Sequence, residues 1–204
     1  MDLCADCRAD LPYHGHACVS CALPLSTGEV CGACLRRPPP HRRARSLFTY
    51  REPAIPLILR AKYHGKLDAV RILGGMMAEA AVAWAPPPEV LIPVPLHRSR
   101  LRERGYNQAL ELARPIARRL RIPIDAKSCV RIRPTAAQTG LPAAERARNV
   151  RGVFALRGPL EAKRVAIVDD VMTTGHTVAE LARVLRKAGV EEVSVWVCAR
   201  AGLV

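Results

Sequence analysis

Aromatic residues make up only 4% of this 204-residue chain, with two Trp and two Phe among them, so stacking on aromatic rings can be no more than a secondary mode of recognition. Acidic residues are scarce as well, 18 against 32 Lys and Arg, which leaves a formal charge of +14. That balance favours a polyanionic partner, because clustered cations gain affinity by releasing counterions from phosphates. Arginine far outnumbers lysine amid much alanine and proline, a bias that a GC-rich genome imprints and that accounts for part of the charge. No run of about 18 uncharged apolar residues occurs, and the start Met1-Asp2-Leu3-Cys4 has neither a basic region nor an apolar signal core. Membrane insertion and export are therefore not expected, and the cytoplasm is the expected compartment. Neither G-x-x-x-x-G-K-[ST] nor G-x-G-x-x-G is present, which excludes P-loop NTPases and Rossmann dehydrogenases.

Residues 165 to 177, VAIVDDVMTTGHT, carry the strongest signal. Val165, Ala166, Ile167 and Val168 form an uninterrupted apolar run, as in a strand buried on both faces of a parallel sheet. Asp169 and Asp170 are expected to emerge at the carboxyl end of that strand, since an unpaired carboxylate is costly inside, and open α/β sheets bind ligands there. Met172 to Thr177 supply small side chains, hydroxyls and Gly175, and Val178, Leu181, Ala182 and Leu185 then recur at helical spacing until Gly189. Backbone N–H groups at the helix start, with the hydroxyls of Thr173, Thr174 and Thr177, would hold a phosphate dianion. The paired carboxylates would suit ribose hydroxyls, directly or through Mg²⁺. A plain strand-to-helix turn capped by Asp170 is the alternative, but capping needs one acidic residue, not Asp-Asp followed by Thr-Thr-Gly.

This segment resembles the phosphoribosylpyrophosphate (PRPP) motif of type I phosphoribosyltransferases. The resemblance implies that Asp169 and Asp170 bind the ribose 2′ and 3′ hydroxyls and act as the catalytic pair, and that Thr173, Thr174, Gly175, His176 and Thr177 hold the 5′-phosphate. His176 departs from the Gly or Ser more usual at its position.

Six of the eight cysteines form three C-x-x-C pairs before residue 35: Cys4/Cys7, Cys18/Cys21 and Cys31/Cys34. This is metal-ligand spacing, two such pairs about ten residues apart making a zinc ribbon, whereas a reducing cytosol disfavours disulfides. Cys18, Cys21, Cys31 and Cys34 are expected to close one structural Zn²⁺ site, leaving Cys4 and Cys7 as half of a second ribbon whose other half is missing or upstream. Cys129 and Cys198 read as inert core residues.

The chain divides into a zinc ribbon over 1–35, a basic linker and helical hood over 36–88, and an α/β domain over 89–204. The segment RRPPPHRRAR, residues 36 to 45 with five arginines, reads as a stiff linker, and Leu47 to Tyr50 as a short strand. Helices are expected over Ala54 to Tyr63 and Leu67 to Trp84, packed as a pair. Val90 to Val94 is expected as the first strand of a parallel sheet, followed by a helix bearing Ala109, Leu112, Ala113, Ile116, Ala117 and Leu120 on one face and bent at Pro115. Strands near Ile124, over Cys129 to Ile132, at the acidic segment and over Glu192 to Arg200 complete a doubly wound α/β pattern.

Between the first sheet strand and its helix lies PVPLHRSRLRERGYNQ, residues 93 to 108, a loop with four arginines. Leu96, His97, Arg98, Arg102, Arg104, Gly105, Asn107 and Gln108 are candidates there for a diphosphate leaving group and its metal, with backbone N–H groups near Leu96 to Arg98 and arginine forks behind them. Asn107 can also cap the helix.

The string RERGYNQ, the cysteine knuckles, LRAKYHGK with Lys62, Tyr63 and Gly65, and RPTAAQTGLPAAERARNVRGVF together narrow the resemblance to the ComF competence family. It implies a type I phosphoribosyltransferase-like doubly wound parallel sheet under a small N-terminal zinc-ribbon and helical hood. It implies Mg²⁺ with PRPP, a mobile flap carrying Gln138, Thr139, Asn149 and Arg151, and a role in uptake or processing of single-stranded DNA with partners in the uptake machinery. It leaves open whether PRPP is turned over by a phosphoribosyltransferase, on an unidentified acceptor, or only sensed. The expected DNA-contacting cations are Arg36, Arg37, Arg42, Arg43 and Lys62, with Phe48, Tyr50 and Tyr63 near them in sequence.

Overall fold

A computed structural model of the chain describes residues 3–63, 67–84, 86–134 and 150–202. Its core is a parallel sheet of four strands in the order β1, β6, β5, β2, formed by Arg43–Thr49 (β1), Glu192–Arg200 (β6), Arg164–Met172 (β5) and Val90–Pro93 (β2). Leu91, Ile92, Ala166, Ile167, Val195 and Val197 are fully buried. Alternate side chains enter opposite layers, as the pleat requires: Ala166, Val168, Trp196 and Cys198 join one apolar cluster, Val165, Ile167, Val195 and Val197 the other.

On the first face lie α3 (Ala54–Tyr63), α4 (Leu67–Ala81) and α6 (Gln108–Leu120). α4 packs directly on α6 because Gly74 has no side chain: a Cβ there would lie 2.6 Å from Pro115 Cγ. Pro115 sits inside α6, which runs uninterrupted through it. The second face is covered by α7 (His176–Lys187) and by a separate antiparallel pair, β3 (Cys129–Arg131) with β4 (Phe154–Leu156). The doubly wound α/β architecture thus follows the expectation.

Several boundaries differ. The sheet begins at Arg43, not Val90, so a strand assigned to linker and hood is the edge of the main sheet. Along it Ala44 and Ser46 are buried while Arg43 and Arg45 are half-buried, an alternation that reads as a basic linker when only charge is counted. Cys129–Arg131 pairs with β4 rather than joining the parallel sheet, and Ile124 contributes only a parallel bridge to Leu91. Residues 98 to 104, taken as loop, form a helix (α5) capped by His97, whose Nδ1 accepts the Ser99 N–H, and ended by Gly105 at φ 78°.

The N-terminal segment is not a detached appendage. It carries the short helices α1 (Ala5–Ala9) and α2 (Gly32–Arg36), Leu11 enters the main core, and His14 N–H and Thr49 N–H bond the carbonyls of Leu47 and Pro12 across β1.

Candidate functional site

β2 stops one step before the acidic residues of β5. Pro93 is in register with Val168, and the last bond across this pair runs from Val94 N–H to the Val168 carbonyl, 2.9 Å. β5 continues against β6, with Asp169 opposite Val197 and Val171 opposite Ala199. Asp169 and Asp170 therefore lie within the strand rather than beyond it, flanked on one side only. The cost of holding a carboxylate there is met by partners: Asp170 is 8% exposed, with Lys62 Nζ 3.4 Å from its Oδ2, Gln108 Nε2 donating at 3.5 Å, and Val171 N–H donating to Oδ1 at 2.8 Å. Asp170 N–H in turn donates to Asp169 Oδ1, 2.9 Å.

Consecutive strand residues face opposite ways, and the two carboxyls differ accordingly. Burial works against ionisation of Asp170, but the Lys62 ammonium and the Val171 N–H outweigh it and hold its carboxyl below the usual range. Burial, then the charge of Asp170, pushes Asp169 well above that range. Asp169 also acts on the half-buried Arg131 of β3: burial depresses this guanidinium, and Asp169 works in the opposite sense. Arg131 lies over the Phe154 ring, 5.6 Å from its centroid.

Thr173 and Thr174 lead from β5 to Gly175, the N-cap of α7, whose φ of 77° disfavours any side chain. The helix of 12 residues that follows has no side-chain cap at its start. Residues 173 to 177 are all half-buried. Hydroxyls, a left-handed glycine and a helix N-terminus thus stand immediately after a paired carboxylate, an arrangement suited to a sugar phosphate.

The remaining candidates divide. Gln108 joins the carboxylate cluster, while Asn107 caps α6 through Ala109 N–H at 3.0 Å and donates to the Val94 carbonyl at 3.1 Å, fixing the exit of β2. Leu96, His97 and Arg104 are half-buried, but Arg98, Arg102 and Gly105 are exposed on or beside α5, so the expected loop of backbone donors at Leu96 to Arg98 is replaced by a capped helix start. Gln138, Thr139 and Asn149 lie outside the described residues, as do Gly65 and the side chain of Tyr63. Arg151 is exposed, and its carbonyl accepts from Arg133 Nη2 at 2.6 Å. Arg133 also donates to the Gly152 carbonyl (3.0 Å), and Gly152 N–H donates to Glu180 of α7 (2.7 Å), which ties the stem of the expected flap to α7. Lys62, grouped in the sequence with DNA-contacting cations, pairs with Asp170 in the structure. Arg36, Arg37 and Arg42 are exposed, while Arg43 belongs to β1.

Two arginines were not singled out from the sequence. Arg131 looked like one charge in a short strand, and only the pairing of β3 with β4 brings it towards Asp169. Arg200, 2% exposed at the end of β6, donates from Nη1 to the carbonyls of Met172 (3.1 Å), Thr173 and Ala201. A buried charge at the end of an otherwise apolar strand was the available signal.

Cys18, Cys21, Cys31 and Cys34 converge, all four sulfurs within 4.8 Å of one another. A tetrahedron of thiolates about 2.3 Å from Zn²⁺ has edges of about 3.8 Å, and Cys21 Sγ lies 3.7 Å from Cys31 Sγ. Cys31 N–H donates to Cys18 Sγ at 3.3 Å, and burial notwithstanding, such N–H donors bring the Cys18 thiol down to about 7. The set fits a closed structural zinc site, which would cross-link the two knuckles. Cys4 and Cys7 are exposed, linked by Cys7 N–H to Cys4 Sγ at 3.4 Å, and form no second cluster among the described residues. No helix among these residues is long and apolar enough to cross a membrane.

Comparison with known proteins agrees with both halves. Residues 107–202 match the phosphoribosyl transferase domain, and residues 1–35 match the double zinc ribbon domain. The chain is 36% identical to competence protein F of Haemophilus influenzae, over 98% of this chain and 90% of that protein. It is 33% identical to DNA utilization protein YhgH of Escherichia coli, over 97% and 90% respectively. Among solved structures, a glutamine PRPP amidotransferase from B. subtilis, complexed with ADP and GMP, aligns with 61% of this chain and 25% of that one at 28% identity and a TM-score of 0.42.

Proposed function

The chain belongs to the family of competence protein F and DNA utilization protein YhgH, and from that premise we propose that it is a cytoplasmic protein that binds Mg²⁺-PRPP and assists the uptake or use of single-stranded DNA. The observation that carries the PRPP reading is the Asp169–Asp170 pair at the open end of β5, followed directly by the Gly175 turn and the start of α7. Asp170, ionised beside Lys62, accepts from one ribose hydroxyl. Asp169, on the opposite face, takes the other, and residues 173 to 177 hold the 5′-phosphate. Arg131 and the arginines of α5 face the developing charge of the leaving diphosphate. Mg²⁺, when bound, would neutralise that diphosphate and orient it.

In the catalytic form of this reading, an acceptor nucleophile donates its electron pair to the anomeric carbon as the bond to diphosphate breaks, and the diphosphate leaves with the bonding pair. Exposed Arg36, Arg37 and Arg42 offer single-stranded DNA a path along the ribbon and the segment that leads into β1. The test is calorimetry with PRPP and Mg²⁺. Asp169→Asn combined with Asp170→Asn should cost roughly 1.5–3 kcal/mol per lost charge-assisted contact, about ten-fold or more each. Unchanged affinity in a folded double variant refutes the site. Labelled PRPP, incubated with and without single-stranded DNA, then distinguishes a transferase, which releases diphosphate, from a sensor, which does not.

A further inference from the structure

The first zinc knuckle is gripped at consecutive carbonyls. Ala44 N–H donates to the Val19 carbonyl at 2.9 Å, His41 Nε2 lies 2.8 Å from the Ser20 carbonyl, and Arg200 Nε donates to the Cys21 carbonyl at 2.7 Å. His41 is 5% exposed and Arg200 2%, so these donors have exchanged water for the knuckle. The same guanidinium reaches, through Nη1, the carbonyls of Met172 and Thr173, where β5 turns into the phosphate loop. One buried side chain thus bonds a zinc ligand's own peptide on one side and the loop before Gly175 on the other. Arginine can do this because its planar fork projects several donors in fixed directions, whereas lysine presents one ammonium.

We propose that Arg200 is a positioning residue that couples the zinc ribbon to the phosphate loop, so that an intact ribbon sets the loop for PRPP and bound PRPP in turn retains the metal. The proposal rests on the PRPP reading for its second half. The ribbon then has a role in the site itself: with the metal cross-link lost, the Cys18–Cys21 turn is held by its hydrogen bonds alone and loosens, which slackens the anchor that directs the other arm of Arg200 onto Met172 and Thr173. Coupling of this kind is reciprocal, the factor by which zinc improves PRPP binding being the factor by which PRPP improves zinc binding.

The experiment uses the zinc-loaded full chain in excess Mg²⁺, with zinc withdrawn by the zinc-selective chelator TPEN. Amide hydrogen exchange is followed over residues 173–178, the ribbon, β2 and α6, and PRPP affinity is measured by calorimetry. Zinc removal should speed exchange at residues 173–178 while β2 and α6 stay protected, and should weaken PRPP about ten-fold. PRPP should raise the zinc affinity, read from equilibrium competition with the chelator, by a similar factor. Arg200→Lys should still bind one zinc per chain, bind PRPP about ten-fold more weakly, and lose less than two-fold more on zinc removal. Unchanged exchange at residues 173–178 after the ribbon has lost its protection overturns the coupling, and so does protection lost equally across β2 and α6, for the ribbon would then support the whole fold. The exchange arm on the wild-type chain needs neither the variant nor PRPP. Failure of the zinc-loaded wild type to bind PRPP therefore sinks the PRPP reading alone, and the exchange result still decides the coupling.

Discussion

Replacing Lys62 by Met keeps most of the stem and removes an ammonium 3.4 Å from the carboxylate of Asp170, whose side chain is 12% exposed against 27% for that of Lys62. Breaking a fully buried pair costs about 3–5 kcal/mol and an exposed one about 0.5 kcal/mol. This pair lies between those limits, so about 2 kcal/mol is expected at pH 7, or roughly 4–8 °C in Tm for a chain of this size. The sign of the pH dependence follows from the lowered carboxyl of Asp170. A carboxyl depressed by folding contributes stability above its unfolded value of about 3.9 and loses it as pH falls through the folded value. Without Lys62, only hydrogen bonds such as that from Val171 N–H oppose burial at Asp170, and its carboxyl rises, so the variant is penalised wherever that group must ionise. The gap between wild type and Lys62→Met should therefore be widest at neutral pH and shrink in acid, as Asp170 of the variant takes up a proton. Urea unfolding at a series of pH values measures it. A gap that stays constant with pH, or is absent at pH 7, refutes the assignment of Lys62 to Asp170 and returns this lysine to the exposed basic surface.

Gly74→Ala should destabilise the chain by about 1–3 kcal/mol, since its Cβ would fall 2.6 Å from Pro115 Cγ; Pro115→Ala should recover most of that loss in the same unfolding assay, and no recovery would mean that the α4–α6 contact is not what Gly74 serves. Cys18→Ser should lose bound zinc and Cys4→Ser should keep it, as read by metal analysis of the purified variants; the opposite pattern would place the ion at Cys4 and Cys7. Substitution of Arg36, Arg37 and Arg42 by Ala should lower the log-log salt slope of single-stranded DNA binding by about 0.7 for each phosphate contact removed and leave PRPP affinity unchanged. DNA binding unaltered in that variant would assign the positive charge to composition rather than contact.

Local chemistry was enough to read the strand, glycine turn and helix around the acidic pair, the cysteine knuckles and the helical faces from the sequence. VAIVDDVMTTGHT holds a buried strand, a paired acid and a glycine turn within one stretch, and a C-x-x-C knuckle folds around a metal with few distant partners, so spacing suffices for both. The periodicity of α4 and α6 is likewise a property of a single helix. Tertiary structure decided whatever depends on pairing between distant segments. The basic stretch 36–45 became a sheet edge because the backbone of Arg43–Thr49 bonds β6, about 150 residues away in register, and a run of arginines gives no sign of such a partner. Lys62 changed from a surface cation to the counter-ion of Asp170 because α3 packs over the end of β5, and only burial of Asp170 makes a lysine there worth more than its exposure to solvent. Arg200 bonds Cys21 of the knuckle, 179 residues away in sequence, and at the same time the Met172 and Thr173 carbonyls at the end of β5. A residue's charge is written in its type, but what that charge neutralises depends on which chains of packing bring a second group within bonding distance.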